Sequence, residues 1–205
     1  MFNLGNFFKN PKVVQNTIKA TRVAAVTLVS AATLYVVPWS QESERLVLAA
    51  YKDSVGYYTW CYGDIYKEDG SRVKAGDVAT SEYCDERSKK RLLKMNEDVA
   101  KLIKVDLDAT DGHKLLGAHA HFADNVGLPT YKASSILRLT NAGDLQGGCR
   151  AVLRYDVLRF NRGTPNEVVV HCSNPAMQAR YGKQGCNGIM NRRNKEVARC
   201  LEGAK

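Results

Sequence analysis

The stretch Glu44–Gly63, ERLVLAAYKDSVGYYTWCYG, decides how the rest of the chain is read. Eight residues separate Glu44 from Asp53, and five separate Asp53 from Thr59. Glu44 falls at a predicted helix end, and the Gly-turned, tyrosine-rich run after it reads as a β-hairpin. Two carboxylates and a hydroxyl are therefore split between two kinds of element. Acid-catalysed bond hydrolysis needs such a set. One carboxyl must give its proton to a leaving oxygen, while the other stays ionised to aim a water or face developing positive charge. A helix on one side and a hairpin on the other supply the different environments that hold two carboxyls in different states.

The core of the stretch, Y-K-D-x-x-G-Y-Y-T from Tyr51 to Thr59, resembles the active-site hairpin of the phage-type lysozymes, glycoside hydrolase family 24. Their signature is a Glu, eight residues, an Asp, five residues and a Thr. The resemblance implies a lysozyme-like α+β fold, with a small β-hairpin lobe and a larger helical lobe joined by a long helix. It implies hydrolysis of the β-1,4 bond between N-acetylmuramic acid and N-acetylglucosamine in peptidoglycan, without cofactor or metal. Glu44 would be the general acid, and Asp53 with Thr59 would position the attacking water. Two positions depart from the pattern. Arg45 stands where the family has Gly, and the order E-S-E-R-L makes Glu42 a rival acid to Glu44. Asp64 stands where the family often has His.

Composition sets the outer bounds. A chain of 205 residues holds one ordinary domain and an appendage. A net charge of +9 favours anionic partners. No nucleic-acid motif accompanies the spread-out Lys and Arg, so the bacterial envelope is the better partner and the chain is expected to act as a monomer. The six cysteines form no C-x-x-C pair, and with the four histidines they complete no zinc spacing. Behind an export signal an even count suggests three disulfides, for which fifteen pairings exist. Cys172 and Cys186 lie within one loop-rich segment. Cys149 and Cys200 sit on apolar faces of two predicted helices, which leaves Cys61 and Cys84. His119 and His121, two apart on a predicted helix, read as structural or exposed.

Residues 1–22 carry Lys9, Lys12, Lys19 and Arg22 and no acid, and Val23–Gln41 carries no charge at all. A basic flank before an apolar run keeps the flank cytoplasmic and sends the following domain across the membrane. The apolar core, Val23–Val37, is 15 residues of mostly Ala, Val and Thr, below the ~20 that a span wants. Residues 23–39 are therefore read as a weak, releasable inner-membrane segment, in line with the signal-arrest-release endolysins that the rest of the chain resembles. A cleaved signal peptide and a permanent anchor are the other readings. The expected domains are 1–22 cytoplasmic, 23–39 membrane segment and 40–205 catalytic, with the last first periplasmic and tethered, then released. No Cys lies in 23–41, so release is expected without thiol exchange.

Further along, residues 55–79 read as a β lobe, and Thr80 as the N-cap of a long helix. Ile103–Gly127, ending in N-V-G, resembles the family's core helix. Asn125 there is either a sugar contact on the cleft floor or a helix terminator. Ser134–Thr140 and Asp144–Phe160 read as helices. The last helix, Ile189–Leu201, resembles the C-terminal helix of the exported lysozymes. Its Arg192 and Arg193 either touch the anionic wall or pair with acids. The segment 161–187, rich in Gly, Asn and Pro, reads as an insertion longer than its counterparts in the family. Two other functions stay open at this point: a non-catalytic wall-binding protein of the same fold, and a membrane-permeabilising protein.

Overall fold

The computed structural model describes residues 11–205 apart from 54–55, 108–110 and 162, with side chains from residue 27 onward. The basic stretch 1–22 lies outside the residues whose side chains are described. Helix α1 (Pro11–Ser43) leads into strands β1 (Val47–Lys52) and β2 (Tyr58–Cys61). The long helix α2 (Ser81–Ala100) follows, then α3 (Gly112–Val126), α4 (Leu128–Lys132), α5 (Ser135–Asn141) and α6 (Leu145–Arg150). Strands β3 (Val157–Phe160) and β4 (Val168–His171), helix α7 (Pro175–Tyr181) and helix α8 (Cys186–Glu202) complete the chain.

β1 and β2 pair antiparallel, with an irregularity between Val47 and Tyr51. Bridges Ala49–Val78 and Tyr66–Arg72 extend the lobe. Its small core is Trp60, Tyr62, Val73 and Ala79 around the Cys61–Cys84 disulfide. The lobe thus starts at Val47, earlier than the 55–79 the turn residues suggested. Thr80 caps α2 by accepting from the Tyr83 N–H at 3.2 Å, a contact of about 1 kcal/mol. Leu92, Asn96 and Val99 are the buried face of α2. The helical lobe is centred on α3, which is buried almost all round from Leu115 to Ala123. Cys149–Cys200 staples α6 to α8, and Cys172–Cys186 ties the end of β4 to the start of α8. All three expected pairs are present.

One expected helix changes. The helix expected over Asp144–Phe160 stops early: α6 ends at Arg150, a 3-10 turn covers Ala151–Arg154, and Val157–Phe160 is a strand. The buried Asp156 carboxylate accepts from the Ser173 N–H at 2.7 Å and faces His171 Nδ1 at 3.1 Å. The β-branched run Val168–Val170 then offers strand pairing that the helix lacks.

The N-terminal segment packs onto the helical lobe. α1 runs unbroken past residue 40, and Ala32, Val36 and Trp39 are buried. It packs against α3 and α2, and Asn96 Nδ2 donates to Thr33 Oγ1 at 3.3 Å. The C-terminal half of the 23–39 segment therefore packs into the hydrophobic core. Among the described residues no helix is long and apolar enough to cross a membrane.

Candidate active site

Glu44 lies just past α1, its N–H still bonded to the Ser40 carbonyl at 3.1 Å. Its Oε1 accepts from Arg192 Nη2 of α8 at 2.7 Å. The side chain faces an open hollow of about 510 Å³ between the β lobe and the helical lobe. The ion pair therefore joins the first and last helices at the mouth of the cleft.

The opposite wall is a charge network. Asp64, buried after the β2 turn, is held by Arg91 Nη1 at 2.8 Å and Arg87 Nε at 3.2 Å, both from α2. Arg91 Nε also reaches Asp124 Oδ1 of α3 at 3.3 Å. Burial pushes the Asp124 carboxyl up, with Arg91 pulling the other way. Asp64, at the position where the family often has His, is thus the hinge between the β lobe and two helices.

Below the cleft, His121 of α3 stacks on Trp39 of α1 with ring centroids 3.8 Å apart, and its Nδ1 lies 3.1 Å from Glu196 Oε1. Glu196 also pairs with Arg193. Burial pushes the Glu196 carboxyl up, but His121 and Arg193 outweigh it and hold it below the usual range. Arg193 in turn donates from Nη2 to Asn125 Oδ1 at 2.7 Å and from Nε to the Tyr155 carbonyl at 2.7 Å.

Asp53 and Thr59 sit together on the hairpin. Asp53 Oδ1 accepts from the Tyr57 N–H at 2.8 Å, and Thr59 Oγ1 lies 3.4 Å from Asp53 Oδ2. Neither is among the residues lining the Glu44 hollow.

A profile of the phage lysozyme family matches residues 41–196. The chain belongs to the phage lysozyme family. The SAR-endolysin of Bacteriophage PS119 is 33% identical over 105 residues, 51% of this chain and 58% of that protein. The chain thus matches less than two thirds of that relative's length. The SAR-endolysin of Pseudomonas phage phiKMV is 29% identical over 153 residues, 75% of this chain and 78% of that protein. The solved endolysin from Escherichia coli O157:H7 phage FAHEc1 aligns with a TM-score of 0.63 at 26% identity, covering 84% of this chain and 91% of that one.

Within this phage lysozyme the two rival acids occupy different surroundings. Glu44 is in the cleft, paired to Arg192. Glu42 is exposed, 3.8 Å from Lys195, and lines a neighbouring hollow. Asn125 borders both hollows, and Arg193 is the buried, acid-paired arginine. His119 is fully buried, with Nδ1 2.8 Å from Tyr131 Oη, and burial lowers it to about 4. His121 is buried but also borders the cleft. The Asp64–Arg87–Arg91–Asp124 network escaped sequence reading. Its one signal was Arg87 and Arg91 at i, i+4 on the helix after Asp64.

Proposed function

We propose that this chain is an endolysin that hydrolyses the β-1,4 bond between N-acetylmuramic acid and N-acetylglucosamine in host peptidoglycan. Glu44 protonates the glycosidic oxygen, while Asp53 with Thr59 orients water or stabilises positive charge on the sugar ring. The carrying observation is the Glu44 carboxyl at the mouth of an open cleft between two lobes, bonded to Arg192 at 2.7 Å. Arg192 fixes the carboxyl in place, and the Tyr57 N–H and Thr59 hydroxyl fix Asp53. The test is clearing of outer-membrane-permeabilised Gram-negative cells by the purified, oxidised full chain. Wild type and Glu42→Gln should clear the cells and Glu44→Gln should not. Clearing by Glu44→Gln would remove the acid assignment. The family resemblance suggests inversion, so NMR of early products should show the anomeric configuration inverted. Retention would reject that step.

Residues 23–39 first hold the protein in the inner membrane, amino terminus inside, and later release it to the periplasm as a monomer. The SAR-endolysin names of the relatives support this reading. So does the burial of Ala32, Val36 and Trp39 in the core. A segment inside a bilayer cannot fill that core, so the tethered state lacks the packing that seats Glu44. Fractionation of infected or expressing cells should find the protein in membranes before lysis and soluble at lysis. A protein soluble throughout would refute the tether.

A further inference from the structure

Arg72 of the β lobe has no carboxylate beside it, although it stands at the edge of the cleft. A tight turn places it there. The Lys67 N–H donates to the Ser71 carbonyl at 2.8 Å, Gly70 takes the positive φ of 81° that the turn needs, and the bridge Tyr66–Arg72 closes it. The guanidinium carbon then lies 4.6 Å from the ring centroid of Tyr66 and 4.8 Å from that of Tyr57 on the hairpin. Both tyrosines are exposed, at 42% and 50%. The neighbouring charges are already engaged: Lys67 with Asp77, Lys90 with Glu68, Asp69 with the Ser71 N–H and hydroxyl, and Arg87 and Arg91 with Asp64. Among the described residues nothing accepts from the Arg72 guanidinium.

We propose that Tyr57, Arg72 and Tyr66 form a binding site for a carboxylate of the peptide stems that substitute the glycan strand. The inference rests on the glycosidase reading above. Chemistry sets the class of ligand. A guanidinium carries a planar fork of N–H donors that matches a carboxylate two bonds at a time. Aromatic rings attract the cation without using up that fork. The two rings also order the side chain in advance, so less rotamer freedom is lost when an anion arrives. Position sets which anion. Tyr66 lines the Glu44 hollow, and the Tyr57 N–H donates to Asp53 Oδ1 at 2.8 Å. A strand held in the cleft therefore brings its peptide stems within reach of Arg72.

The test compares three substrates: native peptidoglycan, the same material with its carboxylates amidated, and glycan stripped of peptides. In the full oxidised chain, Arg72→Gln should raise KM on native wall about fivefold and leave KM on the other two unchanged. Lys104→Gln removes the same charge beyond the far end of α2, which is about 30 Å long, and should leave all three values in place. A role confined to bracing the hairpin that carries Asp53 would lower kcat on all three substrates alike, and that result overturns the carboxylate site. So does an Arg72→Gln chain that melts like wild type and keeps the wild-type KM on native wall. Co-sedimentation of the Glu44→Gln chain gives the comparison without turnover. More of it should pellet with native than with amidated wall, and adding Arg72→Gln should remove most of that difference. Loss of pelleting with phosphatidylglycerol vesicles but not with native wall would make the anion a lipid phosphate and overturn the proposal. If wild type releases no reducing ends while pelleting still depends on Arg72 and on the wall carboxylates, the glycosidase reading falls and the carboxylate site stands.

Discussion

At Gly117 of α3 the N-terminal helix packs tightly on the helical lobe, and replacing this glycine probes whether that helix seats Glu44. A Cβ there would lie 2.9 Å from the Ala32 carbonyl oxygen and 3.1 Å from Tyr35 Cδ1. The first neighbour is backbone of α1, which yields only if the whole helix shifts. Gly→Ala in a helix gains about 1 kcal/mol of propensity, and overpacking costs about 1–3 kcal/mol. Gly117→Ala should therefore destabilise by at most about 2 kcal/mol. Gly117→Leu adds three more carbons to the same gap and should reach or exceed about 3 kcal/mol, with α1 displaced. Displacement has a functional sign. α1 ends at Ser43, one residue before Glu44, so a shifted helix draws the acid away from Arg192. Urea midpoints with the full oxidised chain give the stability change, and clearing of permeabilised cells well below the midpoint gives the activity. Gly117→Leu should lose most activity at temperatures where it is still folded. If it keeps both the wild-type midpoint and wild-type clearing, α1 does not rest on α3 in the active molecule.

Three further outcomes are expected. Burial lowers His119 to about 4 from an ordinary 6.5, so the unfolded chain takes up the proton first; stability should fall by about 3 kcal/mol as pH drops from 6.5 to 4. His119→Gln should flatten that limb of the urea-stability profile, and an unchanged slope would exclude His119 as its source. Glu196, held below its usual range, contributes stability that is present at neutral pH and lost as pH falls through its lowered value; Glu196→Gln strands the Arg193 charge and should cost about 3–5 kcal/mol by chemical denaturation, against which a loss under 1 kcal/mol would count. On the exposed side of α1, Ser30→Leu leaves the docked Ala32, Val36 and Trp39 in place but adds roughly 1 kcal/mol to membrane insertion; membrane retention should rise roughly fivefold, while purified protein clears cells as wild type does, and unchanged fractionation would refute the weak-tether argument.

What could be read in advance was what depends on local chemistry. The helix end before Glu44, the hairpin that follows it, the Thr80 cap and the apolar faces carrying Cys149 and Cys200 are short-range patterns, and each gave the right element or pair. The helix expected through Phe160 failed because Leu158 and Phe160 suit either period, and the deciding contacts, Asp156 with Ser173 and His171, are 17 and 15 residues away. Residues 23–39 were harder still. A dilute apolar run rich in Ala, Thr and Ser is what a weak membrane segment looks like, and it is also what a helix looks like that must approach a glycine closely and hydrogen-bond Asn96. The same hydropathy suits either reading. The Asp64 network was illegible for a different reason: a lone Asp after a turn and two Arg on a helix are ordinary surface residues until the β lobe folds down on α2.

The acid's position ties these observations together. Glu44 is held by a helix from the beginning of the chain and by an arginine from its end, 148 residues away. Each support is itself conditional. α1 is seated by Val36 and Trp39 in the core and by the Trp39–His121 stack. α8 is seated by Cys149–Cys200 and by the buried Glu196, which meets His121 from the other side. His121 is therefore where the two supports touch. Burying one Val and one Trp is worth a few kcal/mol. Its withdrawal from the core removes one wall of the His121 site and the helix end that carries Glu44 in a single step. Under the proposed tether, silence before release and activity after it need no separate inhibitory element, because the same dozen residues cannot serve both places.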